Sequence, residues 1–208
     1  MSQQTATAPP RESHAPRRVG IYGGSFNPIH NGHLALAEAF IKACALDEVW
    51  FVVSPQNPFK ADSRLLDDDT RLRLTMMAVE QRPGLRVSDV EFGLPRPSYM
   101  WNTLQKLSHD HPDTSFTLLI GGDNWASFDR WHRAADILSH YPVAVYPRPD
   151  SPISEQSLPK GVTLLRAELL DISSTAVRQA VARGEDIDHL VPKPVAEAIR
   201  NEHLYQAK

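Results

Sequence analysis

The sequence predicts an α/β fold: a doubly wound parallel sheet with helices on both faces and a helical C-terminal end. Three observations predict it. Short β-rich runs alternate with longer helical patterns, the order expected when a parallel sheet is covered on both sides. The run at 48–53 (EVWFVV) is almost continuously apolar, as a strand buried on both faces requires. Two other runs end abruptly in glycine pairs, Gly23-Gly24 and Gly121-Gly122. Sheets of this class bind ligands beyond the carboxyl ends of their strands, where the winding reverses.

Each element has its own signal. Residues 18–22 (RVGIY) read as the first strand, stopped by the first glycine pair. Ala and Leu crowd 34–45, which reads as a helix. After the strand at 48–53, helical spacing predicts a helix over 70–81, with Leu72, Met76 and Val79 near one face and Asp67–Asp69 before its start. A third strand is expected at 85–90, a helix at 99–107, and a fourth strand at 115–120 (SFTLLI). Beyond it come a short helix at 134–139 and a strand at 142–146. The four prolines in 147–160 mark a loop. A strand at 162–165 follows, then helices near 174–183 and 195–202.

Composition narrows the function. The 208 residues carry a formal net charge of -3, without the basic stripe that a nucleic-acid partner requires. A polyphosphate ligand must therefore be held by a local site. Cys44 is the single cysteine, so no intramolecular disulfide forms and the composition points to the cytoplasm. No apolar run approaches the ~20 residues of a membrane span. Residues 1–17 (MSQQTATAPPRESHAPR) are small, polar and proline-rich, with no apolar core of a signal peptide. They read as a disordered tail ahead of one domain, 18–208.

The most informative segment is 23–33, Gly-Gly-Ser-Phe-Asn-Pro-Ile-His-Asn-Gly-His. Glycines after a buried strand let backbone approach a ligand that a Cβ would obstruct. Pro28 suits a turn or a first helical turn. The helix that follows offers free N–H groups to phosphate, and His30 and His33, three apart, share one face at that end. A glycine pair alone is usually only a turn. Two histidines at this spacing also suit a metal, but zinc needs three or four ligands and no partners accompany them. Neither G-x-x-x-x-G-K-[ST] nor G-x-G-x-x-G occurs, which speaks against the usual ATPase and dehydrogenase loops.

Taken together, these eleven residues resemble the G-G-[ST]-F-[DN]-P-x-H-x-G-H signature of the H-x-G-H nucleotidyltransferase superfamily, which includes the adenylyltransferases of NAD and coenzyme A synthesis. His30, Gly32 and His33 carry the match. A second segment, Ile172-Ser173-Ser174-Thr175-Ala176-Val177-Arg178, resembles the same superfamily's I-S-[SA]-T-x-[IV]-R. Its hydroxyls can cap a helix and its free N–H groups can bind phosphate, while Arg178 brings a permanent charge. The resemblance implies a Rossmann-like fold, ATP as substrate and Mg²⁺ carried by the ATP phosphates. It implies catalytic roles for His30, His33 and Arg178. The wider ATP site would add Gly23, Gly24, Ser25, Phe26, Gly121, Asp123, Ser173, Ser174 and Thr175.

Three further segments resemble the nicotinate-mononucleotide branch. They are Pro97 to Leu104 (PSYMWNTL), Ile120 to Asn124 with Phe128-Asp129-Arg130-Trp131, and Leu190-Val191-Pro192 with His203-Leu204-Tyr205. The resemblance implies Asn27, Lys60, Tyr99, Met100 and Trp131 on the mononucleotide side, with Trp131 stacking on the pyridine ring and Asp123 accepting from ribose hydroxyls. Ser98–Trp101 and Trp131–Arg133 offer backbone donors and Arg133, without an acidic residue, where an acid group would bind. Two departures stand out. The family's Pro-Pro-His-[KR] loop reads Ser54-Pro55-Gln56-Asn57-Pro58-Phe59-Lys60 here, so Lys60 keeps the cation while Phe59 replaces the histidine. Met100 replaces the usual Thr. The implied reaction is ATP plus nicotinate mononucleotide giving deamido-NAD and pyrophosphate, without nucleic acid or membrane. The nearest rivals are adenylyltransferases acting on nicotinamide mononucleotide or on phosphopantetheine; the latter usually carry Thr at the position of His30, which disfavours them. A regulatory protein that binds nucleotide without turnover would not need both histidines and Arg178.

Overall fold

The computed structural model describes residues 15–55, 65–147, 153–166 and 170–206. Six parallel strands form its centre: β1 (Arg17–Gly24), β2 (Glu48–Val53), β3 (Leu85–Ser88), β4 (Thr114–Gly121), β5 (Val143–Tyr146) and β6 (Val162–Leu164), in the order β3-β2-β1-β4-β5-β6. The helices are α1 (Asn31–Ala43), α2 (Asp68–Val79), α3 (Met100–Asp110), α4 (Gly122–Trp125), α5 (Ala134–His140), α6 (Ser174–Ala182) and α7 (Lys193–Asn201). This is the doubly wound sheet that the sequence predicts. The winding reverses between β1 and β4, so their carboxyl ends open the crevice where such sheets bind ligands.

Strand alternation divides the core. Val19 and Ile21 of β1 join Trp50, Val52, Leu118 and Ile120 under α3 and α5. Tyr22, Val49, Phe51 and Leu119 face the opposite layer, packed on α1, α2, α6 and α7. β2 is buried along its whole length. Its Glu48 is 7% exposed and accepts from Trp50 Nε1 at 2.9 Å and from Arg86 Nε at 2.9 Å, with Arg17 as a further partner. Arg17 belongs to β1, so the first strand begins inside the stretch expected to be tail. Residues 1–14 lie outside the described residues.

Other boundaries shift for physical reasons. The first helix starts at Asn31 rather than 34, because His30 caps it with an imidazole rather than with the usual Ser, Thr, Asp or Asn. The strand expected over 85–90 stops at Ser88, and a 3-10 turn occupies Val90–Gly93. Two more 3-10 turns, Phe128–Arg130 and Glu155–Ser157, and the single-turn α4 leave too little periodicity to be read from sequence. On α2 the buried residues are Arg71, Leu74, Thr75, Ala78 and Val79, whereas Met76 is 55% exposed. The face expected to hold Leu72 and Met76 is therefore rotated. Hydrophobic periodicity cannot assign an arginine to the interior, and Arg71 is wholly buried. No helix among the described residues is long and apolar enough to cross a membrane.

Candidate active site

The loop after β1 brings the two motif histidines together at the start of α1. His30 takes the N-cap position in extended conformation, and its Nδ1 accepts from the His33 N–H at 3.3 Å. His33 Nδ1 in turn accepts from the His30 N–H at 3.2 Å. The pair thus forms a capping box built from imidazoles, in the arrangement usually made by Ser or Thr with Glu. The rings stack with centroids 3.6 Å apart. A neutral imidazole whose Nδ1 accepts carries its proton on Nε2. Both rings are therefore set as Nε2–H donors.

The surroundings hold them there. His30 is 5% exposed. A Cβ on Gly32 would lie 3.1 Å from His30 Nδ1 and 3.2 Å from its Cε1, so the glycine between the histidines makes room for the first ring. His33 meets the edges of Phe26 (5.1 Å, 83°) and Tyr22 (5.9 Å, 63°). Phe26 itself is buried against Tyr22, His33 and Phe51, so the side chain expected to line the ATP site acts as packing beneath His33.

The second motif is fastened to the first. Ser173 caps α6, its Oγ accepting from the Ala176 N–H at 3.1 Å. Ser174 Oγ donates to the Pro28 carbonyl at 2.9 Å, and Arg178 Nη1 donates to the Asn27 carbonyl at 2.7 Å. Arg178 Nη2 reaches Thr175 Oγ1 at 3.2 Å. Asn31 adds two links to the segment before α7, through its N–H to the Leu190 carbonyl (2.9 Å) and its side chain to the His189 carbonyl (3.1 Å). The histidines, Arg178 and the N-terminus of α6 thus belong to one hydrogen-bonded assembly. Its donors suit a polyphosphate anion.

Asn27 is 3% exposed and its side-chain oxygen accepts from the Leu66 N–H (3.3 Å) and from Tyr205 Oη (2.8 Å). It ties three separate chain segments to the loop. Burial pushes the Tyr205 phenol well above its usual range, so it stays a donor. At the end of β4, a Cβ on Gly121 would lie 2.5 Å from Asp123 Oδ1 and 3.0 Å from Tyr146 Oη. Asp123 is exposed, in the single turn of α4.

The segments expected on the mononucleotide side gather around α3. Met100 opens that helix, and its Cε would lie 2.8 Å from a Cβ on Gly23, so the two expected halves of the site touch. Tyr99 is 36% exposed, with its ring 4.8 Å from that of His132. No side chain caps α3. Beneath it, Glu91 is 2% exposed and accepts from Ser98 Oγ (2.7 Å) and Thr103 Oγ1 (2.8 Å), holding the first turn from both ends. Trp131 packs on Phe128 at 5.2 Å, and its buried Nε1 has no hydrogen-bond partner among the described residues. The Arg133 guanidinium lies 4.7 Å over Trp101, and its Nε donates to Asp136 at 2.7 Å. Lys60 and Phe59 lie outside the described residues. Cys44 packs half-buried against the core, where burial raises its thiol pKa.

Sequence reasoning missed Arg71, Glu91 and Tyr146, and did not assign Tyr205 a contact. Arg71 and Glu91 are charged residues in the interior, for which hydrophobic patterning carries no signal. Among the described residues no group of three or more His, Cys, Asp or Glu side chains converges as a metal site.

Comparison with known proteins identifies relatives of the chain. A family model described as cytidylyltransferase-like matches residues 21–180. A Bacteroides thetaiotaomicron protein named probable nicotinate-nucleotide adenylyltransferase is 48% identical over 190 residues, covering 91% of this chain and 94% of that protein. A Cytophaga hutchinsonii protein of the same name is 45% identical over 188 residues, covering 90% and 98%. Among solved structures, the Plasmodium falciparum nicotinic acid mononucleotide adenylyltransferase complexed with NaAD superposes with a TM-score of 0.74 at 19% identity, covering 91% of this chain and 97% of that one. At that identity the likeness speaks for the fold.

Proposed function

The chain belongs to the cytidylyltransferase-like family and, within it, to the nicotinate-nucleotide adenylyltransferases, and on that premise we propose how its residues carry out adenylyl transfer. The enzyme joins the adenylyl group of ATP to nicotinate mononucleotide, giving deamido-NAD and pyrophosphate. A phosphate oxygen of the mononucleotide attacks the α-phosphorus in line, and the bond from that phosphorus to the β-phosphate oxygen breaks. No covalent enzyme intermediate is needed, so catalysis is positioning and charge stabilisation.

The observation that carries the assignment of roles is the imidazole capping box. Its two Nε2–H groups are pre-oriented donors, held before substrate arrives by backbone hydrogen bonds and ring stacking. They stabilise the negative charge that builds on the α-phosphate. Arg178 and the N-terminus of α6 hold the departing pyrophosphate. Gly121 gives room for backbone approach at the end of β4, and Asp123 receives ribose hydroxyls. On the other side, the uncapped start of α3 at Tyr99 and Met100 supplies N–H groups to the nicotinate carboxylate. Trp131 stacks on the pyridine ring, with its Nε1–H, which has no partner among the described residues, available to a ligand acceptor.

Mg²⁺ would arrive with the ATP phosphates and would neutralise part of their charge. The single cysteine and the substrates fit a cytoplasmic reaction. The test is pyrophosphate release with ATP and a panel of mononucleotides. Release with nicotinate mononucleotide is expected, and its absence from folded protein overturns the assignment.

A further inference from the structure

Arg71 is an unusual residue for the interior of α2. It is fully buried, and a guanidinium carries five N–H donors. All five have acceptors. Nε donates to the Leu66 carbonyl at 3.0 Å; Nη1 donates to the carbonyls of Ser25 (2.6 Å) and Ser54 (2.9 Å). Nη2 donates to the Pro55 carbonyl at 3.4 Å and to Asp68 Oδ1 at 2.5 Å. Four of the five partners are main-chain carbonyls from three separate stretches: the loop after β1, the end of β2 and the entry to α2.

We propose that Arg71 is a positioning residue of the active site, registering the loop after β1 against the end of β2 and so setting where Asn27 to His30 stand. The links run in both directions from it. Arg71 holds the Ser25 carbonyl, two residues before Asn27, and also Leu66, whose N–H donates to the Asn27 side chain. Asn27 in turn accepts from Arg178. Carbonyls at the carboxyl ends of neighbouring parallel strands repel one another and have no further strand to bond. A planar fork joins them at fixed spacing, which a point charge on a flexible stem cannot do. A core of apolar side chains in the same place would fill the volume but leave those carbonyls unpaired.

The proposal rests on the adenylyltransferase reading of the site. Its test is steady-state kinetics of Arg71→Lys beside the wild type, at a temperature well below the variant's Tm and with the fold checked by near-ultraviolet circular dichroism. A displacement of ~1 Å at the reacting groups costs on the order of 10²-fold, so a fall in kcat of about tenfold or more is expected in folded protein. Cooling should not restore it. A folded Arg71→Lys with kcat and both KM values within about twofold of wild type overturns the proposal, whereas a wild type that releases no pyrophosphate sinks the reading beneath it and the proposal with it. If Arg71→Lys does not fold, Arg71→Ala is supplied with methylguanidinium or with ethylammonium. Recovery of turnover with methylguanidinium alone supports the fork. Equal recovery with ethylammonium, or no recovery with either, overturns it.

Discussion

Arg178 donates to the main-chain carbonyl of Asn27 at 2.7 Å, although 151 residues separate them. Part of its fork is thus spent on the protein itself, and a further nitrogen leans on Thr175. The arginine fastens α6 to the loop after β1, and under the proposed function its remaining donors hold the phosphates. Arg178→Lys keeps the charge but cannot serve both purposes. A hydrogen bond to a charged group contributes ~1.5–3 kcal/mol, so kcat/KM for ATP should fall roughly 10- to 150-fold. Kinetics with ATP varied will check this, and unchanged values would remove Arg178 from phosphate binding.

The histidines admit a sharper experiment than alanine scanning. His33→Ala should lower kcat by ~10²–10³, the usual cost of one preorganised donor. It also breaks the capping box, at ~1 kcal/mol of stability. His30→Asn separates the two effects, because asparagine is among the best N-caps but has no imidazole. Its Tm should stay close to that of the wild type while kcat falls as far as in His33→Ala. Near-normal turnover by folded His30→Asn would sink the role assigned to the ring.

Asp67 gives a pH-dependent prediction. Its carboxylate caps α2, accepting from the Thr70 N–H at 2.8 Å, and that bond holds its pKa below the ordinary value. A folded-state pKa below the unfolded one means stability is present above the unfolded pKa, ~3.9, and is lost as pH falls through the folded value. Asp67→Ala should therefore cost ~1 kcal/mol at neutral pH, with a smaller difference in acid. Thermal melts of both proteins at pH 7 and at about pH 3 will show whether the gap narrows.

Substrate choice follows from the donors on the mononucleotide side. Under the proposed function, selection of the acid rests on the N–H groups at the uncapped start of α3, with the Arg133 guanidinium over Trp101 beside them. Nicotinamide mononucleotide would set its own N–H groups against these donors. An unpaired buried polar group costs ~1–3 kcal/mol, so kcat/KM should favour the acid by at least about tenfold. Comparing the two mononucleotides at fixed ATP decides it. Equal efficiency would refute the selectivity and leave adenylyl transfer in place.

What the sequence determined by itself is the part governed by short-range physics. The apolar run of β2, the glycine stops at β1 and β4, and the alternation of strands with helices each show within a window of a few residues. They led to the doubly wound sheet and to its crevice. The spacing of His30, Gly32 and His33 is equally local: the glycine is needed because the His30 ring lies over it, and the histidines cap one turn. That is why the motif is legible in the sequence.

Tertiary structure decided what each residue's neighbours are. Only the order of strands brings α6 beside the loop after β1, so that Arg178 and Ser174 grip Asn27 and Pro28. Only packing shows that Phe26 supports a histidine, that Arg133 lies over Trp101, and that the buried face of α2 is centred on an arginine. Arg71 and Glu91 are the clearest cases. A charged residue in a sequence reads as surface, because burying it is costly without partners. The partners here are main-chain carbonyls, hydroxyls and the Asp68 carboxylate, and the farthest, the Ser25 carbonyl 46 residues from Arg71, comes within hydrogen-bonding distance only when the sheet assembles.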